Sequence, residues 1–449
     1  ALTGAYVTDI VFQVHGYNIS SSAASRAKLE LVKFLYGRVD AAFEKLESYF
    51  DSLRLQNPGI YAHVETFLGH FYRSVCIPAF SIAAMPHCQN LIALDGAHLK
   101  DLMNVNGVLL VASAKDPNNH IIVLAVAVVP AENHSNWEWF IGHLIKSELM
   151  PTDTVIVSDR QKGLIKACQQ MCPHIPHRFC MRHIVANIKA SGTYLTPEHE
   201  GALYKLARSD SQDTYDLQYN RVLKVNPGAA LYVDKIPKVN WVTFAFPRPT
   251  FDNVTSNLSE AANSWLGEDL RSSDIVTLHF KYLMHMLKNI NARRTVCQSW
   301  PQDGISPVHA RQFDKLNVMS TKIAVEVSDP GKTYLAMFYD MHTQGAHLWR
   351  LVDLEASTCQ CRMWFDQKKP CIHAVACMNS VGVNPLVHFD ATYSIARFRK
   401  LYVGTVVPVP PLDLERDTHC TVPLPCENEF STTKPGPKPK KRKKSKGMT

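Results

Sequence analysis

Two spacings of apolar residues alternate along this chain and divide it into segments before any single residue is considered. From 21 to 56, in SSAASRAKLELVKFLYGRVDAAFEKLESYFDSLRLQ, leucines and aromatics return every three or four positions and the run stops at Asn-Pro-Gly, which predicts a helical lead-in. The texture changes near residue 88. Runs at 91–95, 105–114 and 121–129, separated by turn signals such as DPNN, predict three strands in succession. The last of these, IIVLAVAVVP, is apolar throughout, which suits a strand covered on both faces and is far too short to cross a bilayer. Next come an amphipathic helix in NWEWFIGHLIKSEL, a fourth strand in TVIVSD, a helix in KGLIKACQQM and a short fifth strand before CMRHIVANIK. Strands in succession followed by strands alternating with helices predict a mixed α/β sheet. Trp137, Trp139 and Phe140 are expected to pack on it as core. From about 184 to 300 the pattern is mainly helical, with an irregular Pro-rich piece near 236–250. Short strands and a Cys/His cluster occupy 330–400, and from 405 the chain is Pro-rich and then basic. There is no internal repeat.

Composition narrows this picture in two places. At 449 residues with 46% hydrophobic and 20% charged content, the chain is expected to be globular, cytosolic or nuclear, with two or three domains. It opens on Ala1 rather than Met, which leaves room for an upstream segment. The net charge of +8 resides wholly in KPGPKPKKRKKSKGMT (434–449), which holds eight Lys/Arg and no acid; 48 − 8 leaves 40 basic residues against 40 acidic ones elsewhere. Such a block is expected to be disordered by self-repulsion and to serve nuclear import or phosphate contacts, unless it is simply a solvated terminus. Twelve cysteines at mostly irregular spacing, without an export signal, point to free core thiols and metal ligands rather than a disulfide framework.

Candidate chemistry begins with carboxylates. Asp95 is read as ending the first strand and Asp159 the fourth, and loops at strand ends are where open α/β sheets place their reactive groups. Two acids brought together there repel unless a divalent cation, with Mg²⁺ the best match to oxygen ligands, neutralises them. TSNLSEAANSWL (255–266) supplies a third acid, Glu260, with Asn257 and Asn263 three residues to either side on nearly one helical face. The plainer alternative is that the aspartates are turn or N-cap residues and the glutamate is solvated. Cys180 and His183 form a Cys-x-x-His pair at a strand-to-helix junction, and by themselves suit a buried thiol beside a satisfied histidine. Cys359, Cys361, Cys371 and His373 are different: three thiolates and an imidazole make a closed tetrahedral zinc set. Cys377, one helical turn beyond His373, is expected to pack rather than ligate.

The segment LIALDGAHLK…NGVLLVASAKDPNNHIIVLAVAVVPAENHSNWEWFIGHL closely resembles the transposase domain of Mutator-like elements. VIVSDRQKGLIKA resembles that family's second-aspartate motif, and NLSEAANSWL its Asn-x-x-Glu-x-x-Asn helix. The resemblance implies an RNase H-like mixed sheet interrupted by a helical insertion, here about 184–255, with a helical N-terminal lead-in and a small C-terminal zinc finger. It implies domains at 1–85 (helical), 86–300 (catalytic), 330–400 (a SWIM-type finger) and 405–449 (a Pro-rich, basic, disordered tail). It carries Asp95, Asp159 and Glu260 over as catalytic acids binding Mg²⁺ or Mn²⁺, with Asp95 shared between two ions. Cys180 and His183 carry over as supports beside them, and His98 is a candidate for orienting the metal or substrate. Zinc on Cys359, Cys361, Cys371 and His373 would be structural, and RMWFDQKK between the ligands offers basic and aromatic groups suited to DNA or to protein. The unit around Lys438 resembles a loosened AT-hook without its arginine, so Lys438, Lys440, Lys441, Arg442, Lys443 and Lys444 are read as import or phosphate-contact residues. The implied function is a nuclear DNA transposase that cuts element ends and joins them to target DNA, with double-stranded DNA and a second copy of itself as partners and no membrane. The alternatives are a domesticated regulator that binds DNA without cutting it and, less well matched, an RNase H-like nuclease on other nucleic acid.

Overall fold

A computed structural model of the chain describes residues 4–20, 22–24, 26–27, 41–100, 107–254, 257–340, 345–346 and 348–423, with only the backbone described at Gly4, Ala5, Asn257, Ser259, Glu260, Tyr339, Asp340, Gly345 and Ala346. Its centre is one mixed seven-stranded sheet. The strands are β1 (Tyr61–Phe67), β2 (His70–Ile77), β3 (Leu91–His98), β4 (Val108–Lys115), β5 (Ile121–Val129), β6 (Val155–Ser158) and β7 (His177–Phe179), in the order β1-β2-β5-β4-β3-β6-β7. β3, β4 and β5 run antiparallel to one another, whereas β6 joins β3 in parallel and β7 joins β6 in parallel. β4 and β5 are buried along almost their whole length, as their unbroken apolar sequence requires of strands covered on both faces.

The helices His134–Lys146 and Lys162–Met171 pack on one another, each started by a side-chain cap: Asn133 accepts from the Asn136 N–H, and Gln161 from that of Leu164. Trp137, Phe140, Ile141 and Leu144 of the first are fully buried. Trp139 is not: it is half-buried at the rim, 4.5 Å from the Arg73 guanidinium and edge-on to His143. The helix Asn257–Arg271 lies against β3, β4 and β5, and Gly267, at φ 70°, breaks its course before the last turn. The long helix Ile275–Cys297 is anchored by the Tyr282 hydroxyl, which donates to the Val123 carbonyl at 3.1 Å. Among the described residues, no helix is long and apolar enough to cross a membrane.

Between β7 and Asn257 the chain leaves the sheet. Helices Met181–Ala190, Pro197–Ala207, Gln212–Val225 and Pro227–Asp234 enclose a separate apolar cluster around Ile184, Leu203, Tyr215, Val233 and Trp241. A second, antiparallel sheet comes after the helix Pro307–Ser320. It holds β8 (Ile323–Asp329), β9 (Thr333–Asp340), β10 (Gly345–Ala346), β11 (Arg350–Asp353) and β12 (Thr358–Cys359), and helices Met363–Gln367 and Ile372–Ser380 come next.

Two sequence expectations need correction. Residues 1–85 are not simply a helical region, since Gly4–His15 and Leu46–Gln56 are helices but 61–77 is a β-hairpin continuing the main sheet through β2 and β5. Its loop, Leu68-Gly69, has φ of 51° and 78°, the two positive values that a two-residue hairpin turn needs, and its flanks are rich in aromatic and β-branched residues. Nor is the Pro-rich stretch from 405 loose throughout. Residues 405–423 form a strap along the hairpin: Val407 and Asn57 exchange two hydrogen bonds of 2.7 and 2.9 Å, the Phe71 N–H donates to the Thr421 carbonyl, and Val406 and Cys420 are buried. Proline's lack of an N–H does not prevent a chain from docking through the carbonyls and side chains of its neighbours. Residues 28–40 of the lead-in and the basic run 434–449, including Lys438 to Lys444, lie outside the described residues.

Candidate active site

β3 and β6 determine where the first two acids stand. Their parallel register pairs Leu91 with Val155 and Leu94 with Ser158, so the next position along brings Asp95 beside Asp159. Parallel neighbours in register point to the same face, which is why two aspartates 64 positions apart come together here. Asp159 comes directly after the last residue of β6, as expected. Asp95 does not end its strand: β3 continues through His98, with Asp95 opposite Val111 of β4. The strand persists because Ala97 is buried and the antiparallel ladder to β4 stays intact beyond the acid.

That embedding shapes the electrostatics. Burial raises the Asp95 carboxyl to about 6, and the Asp159 charge adds to the rise. Three groups oppose it: His183, the Gly96 N–H, which donates to Asp95 Oδ1 at 3.0 Å, and Asn263, whose Nδ2 donates to Oδ2 at 2.9 Å. Asn263 therefore brings the Asn257–Arg271 helix onto the first acid. Glu260 sits three positions earlier in that helix, but its side chain and that of Asn257 are outside the described residues.

A further acid, Glu132, belongs to the cluster. It lies just after β5 in PAEN and over Gly96: a Cβ built on that glycine would stand 2.9 Å from the Glu132 carboxyl carbon. Burial, the Asp159 charge and the Asp95 charge raise its carboxyl to about 7. Because side chains alternate along a strand, the Asp95 and Gly96 positions point to opposite faces, and the site is closed from both. The signal for Glu132 was present in sequence only as an acid after the buried strand, with no spacing rule to mark it.

Cys180 and His183 also reach this place. Cys180 stands at the N-cap position of the helix Met181–Ala190 directly after β7, without a side-chain cap, and His183 lies in the first turn. A hydrogen bond with Cys180 raises the affinity of the imidazole for a proton, and the nearby Asp159 and Asp95 charges raise it further. His98 does not join them, since it is exposed at the end of β3, and an odd spacing of three along a strand turns it from the Asp95 face. The described donors are thus carboxylate oxygens that repel one another where they are partly buried, although among the described residues only the Cys/His set below brings three or more ligand atoms close together.

The second candidate centre is built from β12 and two short helices. Cys359 ends β12, Cys361 stands two residues on, Cys371 caps the helix Ile372–Ser380 and His373 lies in that helix's first turn. Their ligand atoms lie within 4.8 Å of one another, with His373 Nδ1 at 3.9 Å from Cys359 Sγ and 4.0 Å from Cys371 Sγ. Hydrogen bonds from Cys361 and Cys371 pull the Cys359 thiol down to about 4, whereas burial pushes Cys371 up. A closed set of three sulfurs and one imidazole nitrogen grouped in this way suits tetrahedral zinc. Cys377 packs in the same small core as Cys359, Cys361 and Cys371, beside Trp364 and Met378, but its sulfur is not one of the four clustered ligand atoms.

A search of curated proteins finds no match. Comparison with protein families matches residues 91–187, a span that contains Asp95, Glu132, Asp159, Cys180 and His183, to the MULE transposase domain. The segment that assembles the described part of the acidic site is thus similar to the MULE transposase domain.

Proposed function

We propose that this chain is a DNA transposase of the Mutator-like type, cutting element ends and joining them to target DNA. The observation that carries the reading is the register of β3 and β6, which sets Asp95 beside Asp159, with Asn263 of the Glu260-bearing helix hydrogen-bonded to the first of them. The strand order β5-β4-β3-β6-β7, three antiparallel strands and then two in parallel, supports an RNase H-like reading of the sheet. In this reading Asp95, Asp159 and Glu260 hold Mg²⁺ or Mn²⁺, and Glu132 adds negative charge from the opposite face. Metal ions bound there would activate a water or 3′-hydroxyl and relieve charge on the departing oxygen. The chain's own part is to hold the acids at fixed spacing, with Asn263 orienting the Asp95 carboxylate and His183 offsetting part of the negative charge. The Cys₃His module is read as a SWIM-type zinc finger, and the basic end as the import and phosphate-contact segment of a nuclear protein that works as a homo-oligomer.

The test is incubation of the purified chain with duplexes carrying candidate terminal inverted repeats, with Mg²⁺ or Mn²⁺. Nicked or joined products are expected from the parent chain. Asp95→Ala and Asp159→Ala should lower the rate by at least about a thousandfold while leaving duplex binding intact. Retained cleavage by Asp95→Ala overturns the assignment of the site, and duplex binding without cleavage by the parent would favour the regulator.

A further inference from the structure

The acidic site and the Cys₃His module are far apart in sequence, but one residue of the module holds the loop that precedes the helix bearing Asn263. Asp366 lies in the short helix Met363–Gln367, between the second and third zinc-type ligands, and is 3% exposed. Its Oδ1 accepts from the Thr250 N–H at 2.9 Å and from the Thr250 hydroxyl at 2.7 Å, and its Oδ2 from the Asp252 N–H at 3.2 Å. Its backbone carbonyl accepts from the Phe251 N–H at 2.9 Å. Three successive N–H groups thus converge on one residue of the module, two of them and the Thr250 hydroxyl on its carboxylate and one on its carbonyl.

This loop does not keep its shape unaided. Phe251 and Asp252 are both left-handed, with φ of 54° and 59°, a conformation that side chains disfavour. Asn253 reinforces it by donating to the Thr250 carbonyl at 2.8 Å and accepting from Lys115 at the end of β4. The residue after it contacts an element of the acidic site. The Val254 carbonyl accepts from the Met181 N–H at 3.0 Å, at the head of the helix that bears His183, and three residues later the chain enters the helix whose Asn263 holds Asp95.

We propose that Asp366 is a positioning residue, which ties the folded Cys₃His module to the acidic site by clamping residues 250–252 and so setting the Asn257–Arg271 helix against β3. The module is then a control element for the site and not only an appended binding finger: when it loses its metal and its fold, the clamp opens and the helix carrying Glu260 and Asn263 loosens. The consequence for cleavage rests on the transposase reading, whereas the mechanical coupling does not.

The experiment is hydrogen exchange with mass spectrometry on the full chain. It compares the parent, Asp366→Ala and Thr250→Val, the last of which removes one hydroxyl donor and leaves the backbone donors in place. Amides of 257–271 are expected to exchange on the order of tenfold faster in Asp366→Ala and less so in Thr250→Val, with zinc content unchanged in both. Zinc removal by a chelator should reproduce the Asp366→Ala pattern in the same peptides. Mn²⁺-dependent cleavage by Asp366→Ala should fall on the order of tenfold or more. Unchanged exchange of 257–271 in Asp366→Ala overturns the coupling, as does loss of zinc from that variant, which would place its role within the module. Should Asp366→Ala fail to fold, parent-like exchange in Thr250→Val combined with no response to zinc removal overturns it equally. A parent chain that cuts no DNA, yet shows the exchange response, refutes the transposase reading and leaves the coupling standing.

Discussion

Asp95 holds its proton more tightly than an ordinary carboxyl because burial and the Asp159 charge both disfavour its ionised form. A carboxyl raised in this way favours folding while protonated: the benefit is complete below pH ~4 and is lost as pH rises through the folded value. With that value at about 6, the chain without added magnesium bears an uncompensated charge at pH 7.5. Asp95→Asn should therefore be more stable than the parent at pH 7.5, by roughly 1–2 kcal/mol, and equal to it at pH 4, as read by urea unfolding. Mg²⁺ at pH 7.5 should raise the melting temperature of the parent and not that of the variant. Gly96 makes a separate case. In Gly96→Ala the new methyl meets only the end of the flexible Glu132 side chain, so stability should change by less than about 1 kcal/mol. The displaced carboxylate, however, should weaken Mn²⁺ binding about tenfold by calorimetry. Asp95 and Asp159 were legible in sequence because each interrupts an apolar run, where a charge demands a reason. Glu132 was not, because a loop acid after Pro130-Ala131 has no such contrast and its burial arises only when β5 lies near β3.

At the scale of elements, the Cys₃His module has a small core, with Tyr334, Val352, Trp364, Ala374 and Met378, and a core of that size is expected to need a bound metal to close. Cys361→Ser should lose zinc by elemental analysis and expose Trp364, read as a red-shifted emission, while Cys377→Ala should keep a full equivalent of metal. Ligand chemistry made this module readable, since Cys-x-Cys and Cys-x-His state their own purpose wherever the backbone runs. β4, β5 and β6 were readable for the opposite reason, as apolar runs too dense to be anything but buried strands. The hairpin 61–77 escaped because its histidines, glutamate and arginine dilute the alternation; Arg73 and Glu65, facing each other across the two strands, pair with each other at 2.9 Å instead of marking a solvated loop. The length of β3 escaped for a related reason: a charged residue looks like a strand end, and only the ladder to β4 reveals that the strand passes through it.

Across the whole molecule, the two halves of the chain are sewn together at the hairpin edge. The strap 405–423 brings Val406 and Cys420 into the main core and bonds to Asn57, Gly69 and Phe71. A chain truncated after Gly404 should lose about 3 kcal/mol of stability, measured by urea unfolding, from the exposed apolar surface and the lost hydrogen bonds at this seam. No local pattern announced this contact, because its apolar residues are separated by prolines and its partners lie some 350 positions away.

That distance has a consequence for how the protein is made. Asn57 leaves the ribosome long before Val407 exists, so throughout synthesis the outer hairpin waits with its binding edge bare. The nascent chain can order β3, β4 and β5 from neighbouring sequence, but it can seal this flank only after the strap 405–423 has been made. A chain cut short before Thr405 would leave bare the apolar surface that Val406 and Cys420 cover, a ready target for chaperones or for clumping with its own kind.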